Sequence, residues 1–286
     1  MAYAKINSIT NANMAKVSNM AKAAIGKIAS IDAPASCSGF DCYAVTNMDT
    51  GYSYWLQSTT NLPQLFHHAS ESQNWTVVHT WDHNKDETFG AWTANFSSWK
   101  YLSMNYIGQD TTTLFWLFFQ GHSGGLSSCA ITVSGSLNGK LTMTLTKTGP
   151  NKGDLNIYVN GGSATSVTHL PDDVISLLTS APNKFRIGYS SNNDGFPESG
   201  GARKCNDFAI FDGAFSEAEA TEAYNSGTTL DLRTHSRASD LEHYWLMGDG
   251  DDGAGNDDGT GDVIFDMAGD CDLDMIGIDA TDIVLW

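Results

Sequence analysis

The sequence predicts an all-β fold, an antiparallel two-sheet β-sandwich preceded by a short helical arm. Three observations lead there. From about residue 73 onward, short β-prone runs alternate with turn clusters. Charged residues make up only 17% of the chain, and Ser, Thr, Asn and 28 Gly take their place, a mix suited to strands and turns. No strand–helix–strand alternation appears, which leaves antiparallel pairing. The chain has 286 residues, and β-sandwiches of roughly 200–250 residues occur as single units. The expected division is therefore an arm over 1–36 and a sandwich over 37–286.

The arm is a short repeat. Lys5-Ile6-Asn-Ser-Ile9, Lys16-Val17-Ser-Asn-Met20 and Lys27-Ile28-Ala-Ser-Ile31 recur every 11 residues, and Tyr3, Met14 and Ile25 keep the same period. On a helix these nine positions form one apolar stripe, and an 11-residue period favours straight or weakly right-handed packing. Such a stripe needs a cover: its own domain, another protein, or a second copy of the chain. Ala33-Pro34-Ala35-Ser36 ends the helix as a hinge. Residues 37–73 show no clean period and read as a first strand or a loop.

The body then runs through its strands in order. Trp75–Trp81, Tyr101–Tyr106, Thr112–Phe119 and Ala130–Val133 come first. Leu141-Thr-Met-Thr-Leu-Thr146 alternates strictly, the pattern of a strand with one solvated face. Leu155–Val159 precedes Asn160-Gly161, a hairpin signal, and Phe185–Tyr189 follows. The strand Phe208–Phe211 feeds a helix opened by the capping box Ser216-Glu-Ala-Glu219, stapled by Phe215 and closed by Gly227.

Three of these pieces, in this order, resemble the laminin-G-like, concanavalin-A-like jelly-roll superfamily: Tyr158-Val-Asn-Gly161, Ile187-Gly188, and Phe208-Ala-Ile-Phe-Asp-Gly-Ala-Phe-Ser-Glu-Ala-Glu219 through Tyr224-Asn225. The likeness covers roughly residues 75–286 and makes the expected sandwich a jelly roll. Asp231–Ser236, Tyr244–Asp249 and Val263–Gly269, with the repeated arm, are similar to tailed-phage structural proteins. That resemblance implies a virion component.

Charge narrows the partners. Lys plus Arg number 15 against 33 Asp plus Glu, a net charge of -18. Phosphate neutralisation needs the opposite balance, so nucleic acid is excluded as a general partner, and anionic membranes repel the chain. The longest apolar stretch, Leu114–Phe119, is far shorter than the roughly 20 residues of a membrane helix. The N-terminal residues lack a leader's continuous apolar segment. Five cysteines at irregular spacing (Cys37, Cys42, Cys129, Cys205, Cys271) read as reduced thiols of a protein made in a cytoplasm.

The motifs of chemistry read mostly as structure. Gly121-His-Ser-Gly-Gly125 fits G-x-S-x-G, but a strand instead of a helix follows, so Ser123 belongs to a Gly-rich hairpin. Asp82–Glu87 reads as a solvated turn, and a strand carrying the facing carboxylates of a glycosidase is missing. No catalytic residue is assigned. The acidic segment Gly248–Asp262 offers Asp249, Asp251, Asp252, Asp257 and Asp258, hard oxygen ligands for calcium or a solvating loop. Trp81, Trp92 and Trp99 lie near polar loops and are the candidates for an exposed sugar-stacking platform. His67, His68, His79 and His83 lack metal-ligand spacing and read as structural.

The expectation is a non-enzymatic virion protein, capsid decoration or tail-associated. It would be made in the host cytoplasm, docked on other virion proteins through residues 1–36, oligomeric, and displaying an acidic lectin-like sandwich. Reinforcement of the particle or adhesion to host-surface polysaccharide would be its task. A free or trimeric glycan-binding module and a polysaccharide depolymerase are the alternatives.

Overall fold

The computed structural model describes residues 43–45, 55–59, 74–83, 88–97, 100–108, 112–120, 126–134, 139–148, 155–167, 184–188, 204–247, 263–276 and 282–285. The chain divides into two units, Met1–Gly39 and Phe40–Trp286, and every described residue belongs to the second. The arm and its nine stripe positions lie outside the described residues.

Among the described residues sixteen strands follow in chain order: β1 Tyr43–Val45, β2 Trp55–Ser58, β3 Trp75–His83, β4 Thr88–Ser97, β5 Lys100–Gly108, β6 Thr112–Gln120, β7 Leu126–Ser134, β8 Gly139–Lys147, β9 Leu155–Val159, β10 Thr165–Val167, β11 Lys184–Ile187, β12 Lys204–Asp212, β13 Leu241–Leu246, β14 Val263–Ile264, β15 Leu273–Ile276 and β16 Ile283–Leu285. A short α-helix, α1, spans Glu217–Tyr224 between β12 and β13. Sheet A has the order β10-β9-β8-β3-β12-β1-β16, with β13 also paired to β12. Sheet B has the order β14-β15-β2-β11-β4-β5-β6-β7. Every ladder between these strands is antiparallel. The chain crosses repeatedly between the sheets, with β1 and β3 in A and β2 and β4 in B, giving the expected jelly-roll sandwich. Residues 37–73 thus supply a strand to each sheet.

Alternation on sheet A builds two cores, one on each face. Trp75, Val77, His79 and Trp81 of β3 are buried, and the intervening Thr76 and Val78 are buried as well. The first set faces sheet B, where Phe208 and Trp245 meet Phe185 at ring-centroid distances of 5.2 and 5.6 Å. The second faces α1: Val78, Ala209, Phe211 and Tyr244 cluster with Phe215, Ala223 and Leu232. This corrects the expectation for β8. Its polar face is not solvated, since Thr144 is 2% exposed and Thr146 fully buried. The helix and its flanking turns cover that face, and the hydroxyls find partners there. Thr76 and Thr146 sit opposite each other, bond at 2.9 Å, and both accept the Phe215 amide at 3.0 Å. Two buried hydroxyls therefore fix where the helix begins.

The local signals act as their chemistry demands. Ser216 and Glu219 form the capping box, with the Ser216 amide donating to Glu219 Oε2 at 2.6 Å. The helix ends earlier than expected: Asn225 takes the left-handed cap at φ 45°, two residues before Gly227. Asparagine tolerates that region better than other side-chain-bearing residues. Asn160 and Gly161, at φ 51° and 63°, form a turn closed by Gly162 N–H donating to Val159 O at 3.0 Å. Asp82 and His83, read as part of a turn, continue β3. Among the described residues no helix is long and apolar enough to cross a membrane.

Candidate functional site: a cleft at the end of the helix

Three strands bring three polar residues into one row on the helix-facing side of sheet A. Asp207 of β12 pairs with Thr80 of β3, and Thr80 pairs with Thr142 of β8. Lys140 lies two residues before Thr142, on the same face. Tyr224, the last residue of the helix, and the turn Gly227–Leu230 beyond it lie over this row and leave a cleft of about 20 Å³. That is room for roughly one water-sized group.

The electrostatics of the cleft centre on Asp207. It is 3% exposed, and its Oδ1 has no hydrogen-bond partner. Burial raises its pKa from 3.8 to about 6, and the Thr80 hydroxyl and amide, which favour the carboxylate, offset only part of that. At neutral pH the group is therefore mostly ionised, and its Oδ1 is shut off from solvent. Thr80 Oγ1 and Thr142 Oγ1 lie 3.2 Å apart beside it. The Thr142 amide is held by Asn160 Oδ1 at 2.9 Å, which ties the cleft floor to the β9–β10 turn. Gly161 sits against α1 with no room for a side chain: a Cβ there would come within 2.9 Å of Thr221 Cα.

Two other titratable clusters do structural work. Asp266 is clamped by the loop it begins: Oδ1 accepts the amides of Tyr244, Ala268 and Gly269, and Oδ2 accepts that of Cys271 and contacts His243 Nδ1 at 2.5 Å. Burial alone would raise its pKa, but the His243 contact and these amides outweigh it and hold the carboxyl below its ordinary range. His79 is buried between Trp81 and Phe208, with Nε2 3.2 Å from Cys205 Sγ. Its burial lowers the pKa to about 3, so the ring is neutral. His79 is thus structural, as the sequence indicates.

The residues singled out in the sequence fall elsewhere. Trp81 is 1% exposed and belongs to the inter-sheet core, which corrects its candidacy as a sugar platform. The period-2 run Trp75, Val77, His79, Trp81 carries that signal, and the polar residues after Trp81 obscure it. Trp92 lies on β4 opposite Ile187, with only its backbone described. Trp99, Ser123 and Asp249, Asp251, Asp252, Asp257 and Asp258 lie outside the described residues. Among the described residues no group of three or more His, Cys, Asp or Glu is placed to hold a metal. Asp207, Thr80, Thr142, Lys140 and Tyr224 escape the sequence reading because pairing across more than a hundred residues brings them together. The available hint is Asp207 immediately before the apolar run Phe208–Phe211 of β12.

No protein-family model matches the chain, and no curated protein matches it. Among solved structures, it is similar to the native heptameric SAP-like pentraxin from Limulus polyphemus, at 15% identity over 64% of this chain and 82% of that one, with a TM-score of 0.45. It is also similar to the CBM40 of the Ruminococcus gnavus IT-sialidase (12% identity, 52% of this chain, 80% of that one, TM-score 0.39). A third is the receptor-binding domain of botulinum neurotoxin type G (13% identity, 65% of this chain, 47% of that one, TM-score 0.39). At these TM-scores the likenesses carry nothing about what this chain binds. Its own two antiparallel sheets define its fold.

Proposed function

We propose that this chain is a glycan-binding module that acts by binding and not by reaction, with the Asp207 cleft as its recognition point. The observation that carries this reading is a small cleft lined by a buried carboxylate, two threonines, a lysine and a tyrosine ring. Sugar edges match that set, with hydroxyls for its polar groups and an apolar face for the ring. Asp207 is the one carboxylate lining the cleft among the described residues, whereas glycoside hydrolysis uses a facing pair. The test is a panel of immobilised host-surface and bacterial polysaccharides probed with the full chain and with Asp207→Ala. Binding that Asp207→Ala abolishes supports the reading; binding unchanged in the variant, or release of reducing ends, overturns it.

The wider setting we propose is a phage particle. Its support is in the sequence. The arm over 1–36 carries an 11-residue repeat and a net charge of +3, from four Lys and one Asp. Residues 238–286 carry -14, from thirteen Asp and one Glu, and the arm and 231–269 resemble tailed-phage structural proteins. Docking on capsid or tail proteins through the arm would present many copies on one particle, so that a weak single site gains avidity. Co-sedimentation of the full chain, but not of residues 37–286, with particles lacking the protein is the expected outcome. Failure of both to sediment refutes the setting without touching the glycan reading.

A further inference from the structure

The segment lying over the cleft is built differently from the elements at its two ends. Before it, Tyr224 closes α1 and packs on Gly161, where a Cβ would come within 3.2 Å of Tyr224 Cβ and Cδ1. After it, Leu232 is buried in the helix-side cluster. Between these fixed points Asn225, Ser226 and Gly227 take left-handed backbone in succession, at φ 45°, 57° and 82°. Glycine enters that region freely and asparagine at modest cost, but serine does not, and runs of such residues are unusual. Ser226 is exposed, so packing of its side chain does not offset the strain. Asn225–Thr228 are all exposed, and within the segment the Thr228 amide donates to Asn225 O at 3.1 Å. The far end is latched to the core, where the Tyr244 hydroxyl donates to Leu230 O at 3.4 Å and Leu230 packs against the cluster.

We propose that Asn225–Leu230 is a movable cover, which lifts off the Thr80–Thr142 row as a unit while α1 stays folded. Two terms oppose each other in it. The Tyr244 latch and the half-buried Leu230 hold the cover down, and the left-handed strain at Ser226 pushes it up. Release lets Ser226 return to ordinary backbone, so the open form recovers part of the cost of breaking the latch. Segments with exposed backbone bonds and few apolar contacts open locally, well below the free energy of global unfolding. A ligand that needs the row selects the open form, and its apparent affinity is reduced by the fraction of chains that are open. That role in recognition rests on the glycan reading; the motion itself does not.

Residue-resolved amide hydrogen exchange on the full chain, without any glycan, tests it. The reporter is the Thr228 amide, freed when the cover lifts, and the reference is the Ala220 amide, which donates to Ser216 O at 3.0 Å in the first turn of α1. Thr228 is expected to exchange at least ~10-fold faster than Ala220 once both are corrected for intrinsic rates. Ser226→Gly, which removes the strain, is expected to slow Thr228 roughly threefold, and Ser226→Val, which worsens it, to speed Thr228 roughly fivefold. Residue 226 does not adjoin that amide, so its intrinsic rate is unchanged. Tyr244→Phe, which removes the latch, is expected to speed Thr228 without a matching change at Ala220. Thr228 and Ala220 protected equally and shifting together across the variants mean that the turn opens only with the helix, which overturns the cover. Exchange at Thr228 that is unchanged or faster in Ser226→Gly overturns the role of the strain and the proposal with it. Either result leaves the glycan reading standing, and failure of the polysaccharide panel leaves the cover standing.

Discussion

Replacing Asp207 with asparagine should stabilise this protein at neutral pH, although it removes a charged residue from the most polar part of sheet A. The carboxyl is 3% exposed, and burial moves its pKa from 3.8 to about 6. A folded-state pKa above the unfolded one means that the folded chain holds the proton more tightly. The stability this gives is fully present below pH 3.8 and is lost as pH rises through about 6. At about 1.4 kcal/mol for each pKa unit, ionisation at pH 7 costs the wild type about 3 kcal/mol relative to a neutral side chain. The amide introduced by Asp207→Asn has the same shape, can still accept from Thr80, and never ionises. The variant should therefore match the wild type near pH 4 and exceed it by up to ~3 kcal/mol at pH 7.5. For a chain of this size that is roughly 6–12 °C in Tm. Urea titrations of both proteins at half-unit steps from pH 4 to 8 measure the difference curve. A flat difference across that range, or an asparagine variant less stable at pH 7.5, refutes the assignment of an uncompensated buried charge. In either case the cleft would have lost its main physical support.

Two further predictions concern the structural clusters. Gly269→Ala places a Cβ 2.6 Å from Asp266 Oδ2 and 2.7 Å from both Glu242 O and His243 Nδ1; a backbone oxygen and a clamped carboxylate cannot move aside, so a loss of about 1–3 kcal/mol is expected by urea denaturation. His79→Leu should flatten the acid side of the stability curve: the ring's lowered pKa, about 3, gives stability present above pH 6.5 that is lost as pH falls toward 3. The same titration reads it as a smaller decline between pH 6.5 and 4 than in the wild type.

Local chemistry was legible wherever the chain alone decides it. The capping box of Ser216 and Glu219, the Asn160-Gly161 turn and the apolar sets of β3, β8 and β12 are each written in a few consecutive residues. Their energetics are settled within a turn or a strand. Gly227 shows the limit of such reading, because Asn225 is an adequate left-handed cap and reaches the position first. Trp81 shows another: its polar successors suggested exposure, but strand alternation outweighs sequence proximity once β3 runs on to His83.

What the sequence by itself determined is the antiparallel β-sandwich with a helix after the strand Phe208–Phe211, since periodicity, turn residues and caps are local properties. What only the tertiary structure decided is which face of each strand is covered and which polar residues meet. Thr144 looks like a solvent-facing residue until α1 and its turns lie over it, and its burial follows from packing between distant segments. Asp207, Thr80 and Thr142 become one row through strand register, a non-local property. The cleft that Asp207 lines then forms where Tyr224 and the Gly227–Leu230 turn lie over that row.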